Sequence, residues 1–316
     1  MESINNRRTI RKYKQEDISA SLLNDLLEKA FRASTMGNMQ LYSVIVTRDK
    51  QMKERLAPAH FNQPMVTGAP VVLTFCADFN RFSKWCRERK AVPGYDNPIS
   101  FLNAATDALL VTQNFCTLAE ENGLGICFLG TTIYNPDQII DILQLPELVM
   151  PVATITVGYP DECPPQVDRL PIEGILHEEL YHDYTKEDID RIYRYKESLP
   201  ENHQFIKENH KETLAQVFTE VRYKKSDNEC MSVTSITREE AAVLLRRYAV
   251  HLGRDTFLPS GVAACNDFEG ISPWADDSLY WAAGIGLLAW GADGRPEPHL
   301  YGRRFFHTPV IYFSLL

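Results

Sequence analysis

Apolar positions recur along the chain with periods that predict a succession of helices and strands. Leu22, Leu23, Leu26, Leu27 and Ala30 fall at helical spacing, predicting an amphipathic helix over 19–32 with Ser19 or Ser21 as its cap. Residues 42–47 are rich in β-branched side chains and read as a strand, followed by a short polar helix over 48–56. The run 69–77, APVVLTFCA, is apolar throughout at strand length, so both its faces are expected to be covered; a charged helix over 78–90 follows. The longest periodic segment is 98–122. There Leu102, Ala105, Leu109, Val111, Thr112, Phe115, Cys116 and Ala119 leave few positions for solvent, predicting a central helix with Gly123 at a left-handed C-cap. A strand over 126–130, a helix over 136–143 opened by Asn135, and a strand over 152–158 ending in Gly-Tyr-Pro come next. A Pro-rich loop then leads to one long polar helical stretch from Lys186 to about Val221. Helices and strands alternating in this way predict a layered α/β or α+β fold.

Composition changes the picture near residue 230. Residues 231–316 contain seven Arg and no Lys, whereas the preceding part uses both equally. The same tail holds three of the four Trp and eight of the 16 Gly. The 316 residues therefore read as two unequal parts, 1–230 and 231–316. Within the tail, Thr237-Arg238-Glu239-Glu240 has the capping-box pattern ahead of an apolar helix over 241–252. Ser272-Pro273-Trp274 opens a second helix, whose apolar face continues through Trp281, Ile285 and Leu288.

Charge and cysteine content narrow the functional classes. With 44% hydrophobic and 24% charged residues, a disordered chain is excluded. The net charge of −9 argues against a general nucleic-acid binder, so any affinity for phosphate is expected to be local. No apolar run reaches the roughly 18 residues of a membrane span. The polar, basic N-terminus is unlike a signal peptide. Seven scattered cysteines without a CxxC pair fit a reduced, cytoplasmic protein with neither a disulfide framework nor a zinc site.

Few segments carry chemistry. Arg7-Arg8-Thr9-Ile10-Arg11 sets three guanidiniums and a hydroxyl in five residues, a donor set suited to phosphate, although a solvated basic terminus has the same composition. Ser34-Thr35-Met36-Gly37-Asn38-Met39-Gln40 is dense in short hydrogen-bonding side chains, as turns also are. The glycines of 123–131 do not form a dinucleotide fingerprint: Phe128 takes the third glycine position, and the segment runs from helix to strand. His177 and His182 would stand about 140° apart on a helix, so no metal site is expected.

Taken in order, these segments resemble the nitroreductase family over residues 1–230, on the side of the NAD(P)H-dependent flavin reductases and oxygen-insensitive nitroreductases. The resemblance is carried by RRTIRKY, ASTMGNMQLYSVIV, NQPMVTGAPVVLTFCADFNR, GLGICFLGT, and VGYP followed by DRLP. It implies an α+β fold with a mixed sheet wrapped by helices, built as an intertwined homodimer with FMN at the interface. It further implies that Arg7, Arg8, Thr9, Arg11 and Arg169 hold the phosphate and ribityl chain. Ser34, Thr35, Asn38 and Gln40 would contact the flavin from a second loop, Gln63 would hydrogen-bond the ring edge, and Phe128, Gly130 and Thr131 would lie along the ring. Val167 and Asp168 depart from the Lys and Pro common before the last arginine, which places more of the phosphate on the N-terminal arginines. Phe128 and Thr131 stand where a Tyr and a Gly are common.

The implied activity is hydride transfer from NAD(P)H, with NADPH favoured, through flavin N5 to nitroaromatic, quinone, azo or flavin acceptors in a ping-pong scheme. No side chain is assigned as acid or base, because the cofactor carries the chemistry. Two alternatives remain at this point: a flavin-binding sensor without turnover, and a cell-wall anchoring protein acting through its tail. The tail, over 231–298, resembles part of an S-layer homology repeat (ITREEAAVLLRRYA, then NDFEGISPWADDSLYWAAGIGLLAWGADGRPEP). Because little more than one repeat is present, it is read as a small, mostly helical extension, and a cell-wall polymer is not expected as a partner.

Overall fold

The computed structural model describes residues 2–224, residues 242, 246 and 256–257, and residues 276–284. The chain divides into two compact units, Met1–Asp183 and Tyr184–Leu316; the compositional change near residue 230 falls within the second.

The first unit is built on a four-stranded sheet: β1 (Tyr42–Thr47), β2 (Val71–Asp78), β3 (Gly125–Leu129) and β4 (Val149–Gly158), in the order β1-β2-β4-β3. Every ladder is antiparallel. The four strands thus form an antiparallel sheet; outside them the N-terminal segment adds two isolated bridges, a parallel one from Thr9 to Ile126 and an antiparallel one from Tyr13 to Pro160. All eight positions of β2 are buried, as its uninterrupted apolar run requires.

Helices α1 (Glu2–Asn6), α2 (Ala20–Ala30), α3 (Lys50–Leu56), α4 (Pro64–Gly68), α5 (Asn80–Glu88), α6 (Pro98–Glu121) and α7 (Pro136–Leu143) surround the sheet. Ser19 caps α2 through Leu22 N–H, and the buried edge of α2 is Leu23, Leu26, Leu27 and Ala30. That edge joins α6 and β2 in one core, where Phe75 and Phe115 meet at 6.3 Å between ring centroids. A second core gathers Ile10, Tyr13, Leu56, Met65, Val66, Cys127, Leu129 and Ile139. Because Ile126 belongs to the first core and Cys127 to the second, the two lie on opposite faces of β3. The N-terminal segment crosses the β3–β4 ladder where Gly125 faces Gly158. A Cβ at Gly125 would come 2.7 Å from Ile10, and one at Gly158 would come 2.7 Å from Tyr13 and Pro70, so both glycines are needed for close approach of the segment.

One expectation is corrected in this unit. Helix α6 is not enclosed: Ala104, Ala108, Val111, Phe115 and Ala119 are buried, but Leu102 and Leu109 are exposed, with Ile99 and Leu110 beside them. Apolar residues occupy both faces of this helix, and one chain covers only one. Asn135 opens α7 over the residues expected, without a side-chain cap; its amide donates to Ala59 O at 3.0 Å.

In the second unit, the polar stretch from residue 186 is not one helix. It divides into α8 (Lys186–Ser198), α9 (Pro200–Glu208) and α10 (Leu214–Val217), the last running into a π turn, Phe218–Arg222. Pro200 enters as the first residue of α9, and Thr213 starts α10 with a capping box to Gln216. Of the tail, helix α11 (Asp276–Gly284) is described, with Leu279, Trp281 and Ala282 buried, and Ala242 and Arg246 are helical. The remainder of the 231–298 repeat-like segment, including the opening at Ser272 and most of the helix over 241–252, lies outside the described residues.

Candidate functional site

The N-terminal segment is held at the sheet edge by hydrogen bonds that leave its arginine side chains free to act. Ile10 N–H donates to Ile126 O at 2.9 Å, and Lys14 N–H to Tyr159 O at 2.9 Å. The Tyr13 hydroxyl donates to Ile10 O at 2.7 Å and lies 2.7 Å from Thr156 Oγ1; burial pushes its pKa far above the ordinary value. Glu162, in the loop after β4, accepts from the backbone N–H of both Arg11 (2.6 Å) and Lys12 (3.0 Å). The Gln166 amide donates to Asn5 O at 2.6 Å. These contacts draw the 161–169 loop against the arginine segment. Arg169 is exposed, and its guanidinium bonds to the Asp168 carbonyl at 2.9 Å.

The arginines differ in environment. Arg7 is half-buried and pairs with Glu120 of α6 at 3.8 Å. Burial raises the Glu120 carboxyl pKa and Arg7 pulls it back down. Arg8 donates to Asn6 O at 2.8 Å, while its buried Nε has no hydrogen-bond partner among the described residues. Arg11 is exposed, and both it and Arg7 act on the Cys127 thiol, tempering the rise that burial imposes on it. A buried guanidinium donor without an acceptor, among further cationic side chains and the Thr9 hydroxyl, fits a phosphate group.

A second group forms around residues 58–63 and the turn after β3. His60 is fully buried, and its Nδ1 lies 2.9 Å from Thr131 Oγ1. Desolvation pulls the His60 pKa down to about 4, so the ring is neutral, with its Nε2 buried and unpartnered among the described residues. Together with the bond from Asn135 to Ala59 O, this joins the segment bearing Gln63 to the turn bearing Gly130 and Thr131. Gln63 is half-buried, Gly130 is exposed, and Phe128 is 41% exposed although it sits in a strand whose other members are buried.

The third group stands apart. Ser34, Asn38 and Gln40 are exposed and Thr35 half-buried, in a loop tied to α6 by Asp107, which accepts from Met36 N–H and Leu41 N–H. Asp107 and Glu120 are thirteen residues apart, or about 20 Å along a helix rising 1.5 Å per residue. One chain therefore anchors the 34–40 loop and the arginine segment toward opposite ends of α6.

Residues that build this geometry without standing among the candidate site residues of the sequence are Glu162, His60, Asp107 and Arg81, whose guanidinium donates to Gln40 O and Tyr42 O beside the 34–40 loop. Only Asp107 had a visible signal, as an acid within the apolar run of α6. Among the described residues no three His, Cys, Asp or Glu side chains converge as a metal site, and no helix is long and apolar enough to cross a membrane. The donors suit an anion and a flat polar ring rather than a nucleophile and its base.

Comparison with known proteins agrees with this chemistry. The profile of the Nitroreductase family matches residues 4–159. An FMN reductase (NADPH) of Bacillus subtilis (strain 168) is 32% identical over 187 residues, covering 58% of this chain and 75% of that protein. A solved structure from Bacteroides fragilis NCTC 9343, assigned as an oxidoreductase, is 71% identical with a TM-score of 0.73, covering 78% of this chain and 98% of the other. The NfrA1 nitroreductase of B. subtilis is 27% identical with a TM-score of 0.66, covering 72% and 94%.

Proposed function

The chain belongs to the nitroreductase family, and from that premise we propose how its residues serve an FMN-dependent NAD(P)H oxidoreductase. When bound, FMN supplies the ring that takes hydride from the nicotinamide and gives it to an acceptor occupying the same place, the two half-reactions alternating as in a ping-pong scheme. Arg8, Arg11 and Arg169 neutralise the phosphate, and Thr9 adds a hydroxyl. Arg7 divides its charge between Glu120 and that phosphate. Gln63 hydrogen-bonds the ring edge, Phe128 and Gly130 line the ring, and Thr131 meets it with its hydroxyl oriented by neutral His60.

Ser34, Thr35, Asn38 and Gln40 complete the site from a second copy of the chain. Their separation from the arginines along α6, together with the exposed Ile99, Leu102, Leu109 and Leu110, supports a homodimer in which α6 lies at the interface. The oxidoreductase subunit is taken as 1–230. NADPH is the favoured donor, and nitroaromatics, quinones, azo dyes and free flavins are the acceptor classes. The described cysteines are all free, in keeping with a cytoplasmic place of action.

The observation that carries the reading is the Arg8 guanidinium donor left unsatisfied among the described residues, in a segment that also bears Arg7, Thr9 and Arg11. The purified full chain is expected to show flavin absorbance that bleaches on anaerobic addition of NADPH and returns with a nitroaromatic acceptor. Arg11→Ala removes a charge-assisted hydrogen bond worth about 1.5–3 kcal/mol, raising the Kd for FMN roughly tenfold or more. A colourless protein after reconstitution would defeat the flavin reading, and an Arg11→Ala protein holding FMN as tightly as its parent would defeat the phosphate assignment. Crossing rather than parallel initial-rate lines would exclude the ping-pong scheme.

A further inference from the structure

Asp107 is the one charged residue among the buried positions of α6, and it is 2% exposed. Among the described residues no ion pair reaches it. Both oxygens are given to the backbone of one loop: Oδ1 accepts from Met36 N–H at 2.9 Å and Oδ2 from Leu41 N–H at 3.2 Å. Between those two N–H groups the chain takes φ of 53° at Gly37, 54° at Asn38 and 54° at Gln40. Asn38 and Gln40 carry a Cβ, which disfavours this region, so the conformation persists only where its surroundings over-determine it. Arg81 supplies the opposing grip, donating to the carbonyls of Gln40 and Tyr42.

The loop is thus held on both sides in a strained shape while Ser34, Asn38 and Gln40 stand exposed. A buried acidic side chain with no ion pair among the described residues is a costly way to fill a helix face, and an apolar residue of similar volume would serve packing better. The cost is accounted for if the shape of the loop matters to what it touches. We propose that Asp107 is a positioning residue for cofactor binding: by holding the chain at Met36 and Leu41 it fixes the intervening residues in the conformation in which Asn38 and Gln40 meet the flavin. This rests on the flavin-contacting role given to that loop above.

The test is a double-mutant cycle on the full-chain protein, read as the Kd for FMN and the visible spectrum of the bound flavin. Asp107→Asn keeps the side-chain shape but turns an amide donor toward one of the two N–H groups. In the parent it is expected to raise the Kd about tenfold and shift the flavin spectrum, with far-UV circular dichroism and subunit assembly unchanged. In an Asn38→Ala/Gln40→Ala background the same change adds less than about twofold, because the contacts through which Asp107 acts are gone. A general structural defect would instead cost the same factor in both backgrounds, and that result overturns the proposal. So does an Asp107→Asn protein within about twofold of the parent. A native Kd for Asn38→Ala/Gln40→Ala removes the loop from the flavin, and the proposal with it, while the Arg11→Ala result still decides the phosphate site. Where Asp107→Asn gives no folded protein, Asp107→Glu takes its place in the cycle with the same outcomes; it keeps charge and acceptors but displaces them by one methylene.

Discussion

Because His60 is fully buried and its pKa falls to about 4, the imidazole enters the fold neutral. An unfolded chain holds the same ring near 6.5. Below that pH the unfolded state takes up a proton that the folded state refuses. The contribution of His60 to stability is therefore whole above pH 6.5, falls by about 3 kcal/mol on descent to pH 4, and changes little below. His60→Gln should lose this slope: between pH 7 and pH 4 its urea midpoint should fall less than that of the parent, and an equal fall would place the titration elsewhere. His60 also marks where single residues stop being legible in sequence. The arginines stand out because three guanidiniums lie within five residues, and the resemblance carried by the order of the motifs reads them as a phosphate site rather than a solvated terminus. His60, Asp107 and Glu162 could not, because their partners lie 71, 66–71 and 150–151 residues away and only the fold brings them together.

Among the elements, legibility follows how much of the signal is local. Strand β1 lies over the residues its β-branched run predicted, and α2 is capped by one of its two candidate serines. The 186–221 stretch reads as continuous because it is polar and weakly periodic, although Pro200 and the Thr213–Gln216 capping box both mark breaks. Helix α6 gives the opposite lesson. Its periodicity reported apolar surface on every side, but not which part stays open on one chain, the part that the proposed homodimer covers. Ile99, Leu102, Leu109 and Leu110 remain 43–74% exposed on this helix. Burying a leucine is worth about 1.5–3 kcal/mol, and a carboxylate in its place costs more. Leu109→Glu should therefore give a smaller species in sedimentation velocity and reduced FMN retention, since the 34–40 loop would arrive with the second copy. An unchanged sedimentation coefficient would show that this face of α6 is not the interface.

At the scale of the whole molecule, the proposed reading makes each flavin site the joint product of two chains. One chain contributes the arginines, Gln63 and the turn at Thr131; the other contributes the 34–40 loop. In a two-fold dimer each chain plays both parts, so defects in the two parts can be separated between subunits. Arg11→Ala damages the arginine half and Asn38→Ala/Gln40→Ala the loop half. Pairing one chain of each kind puts both defects into one site and leaves the other site with neither. Co-refolding the two weak binders in equal amounts should therefore restore parent-like FMN affinity in about a quarter of the sites, since half the dimers are mixed and each mixed dimer holds one intact site. Titration with FMN should then be biphasic, with a tight phase absent from either variant alone. If both halves of the site came from the same chain, each chain would carry its own defect into every pairing and no tight phase would emerge. The comparison uses identical total composition in the mixed and unmixed samples, so a general loss of stability in either variant cannot imitate it.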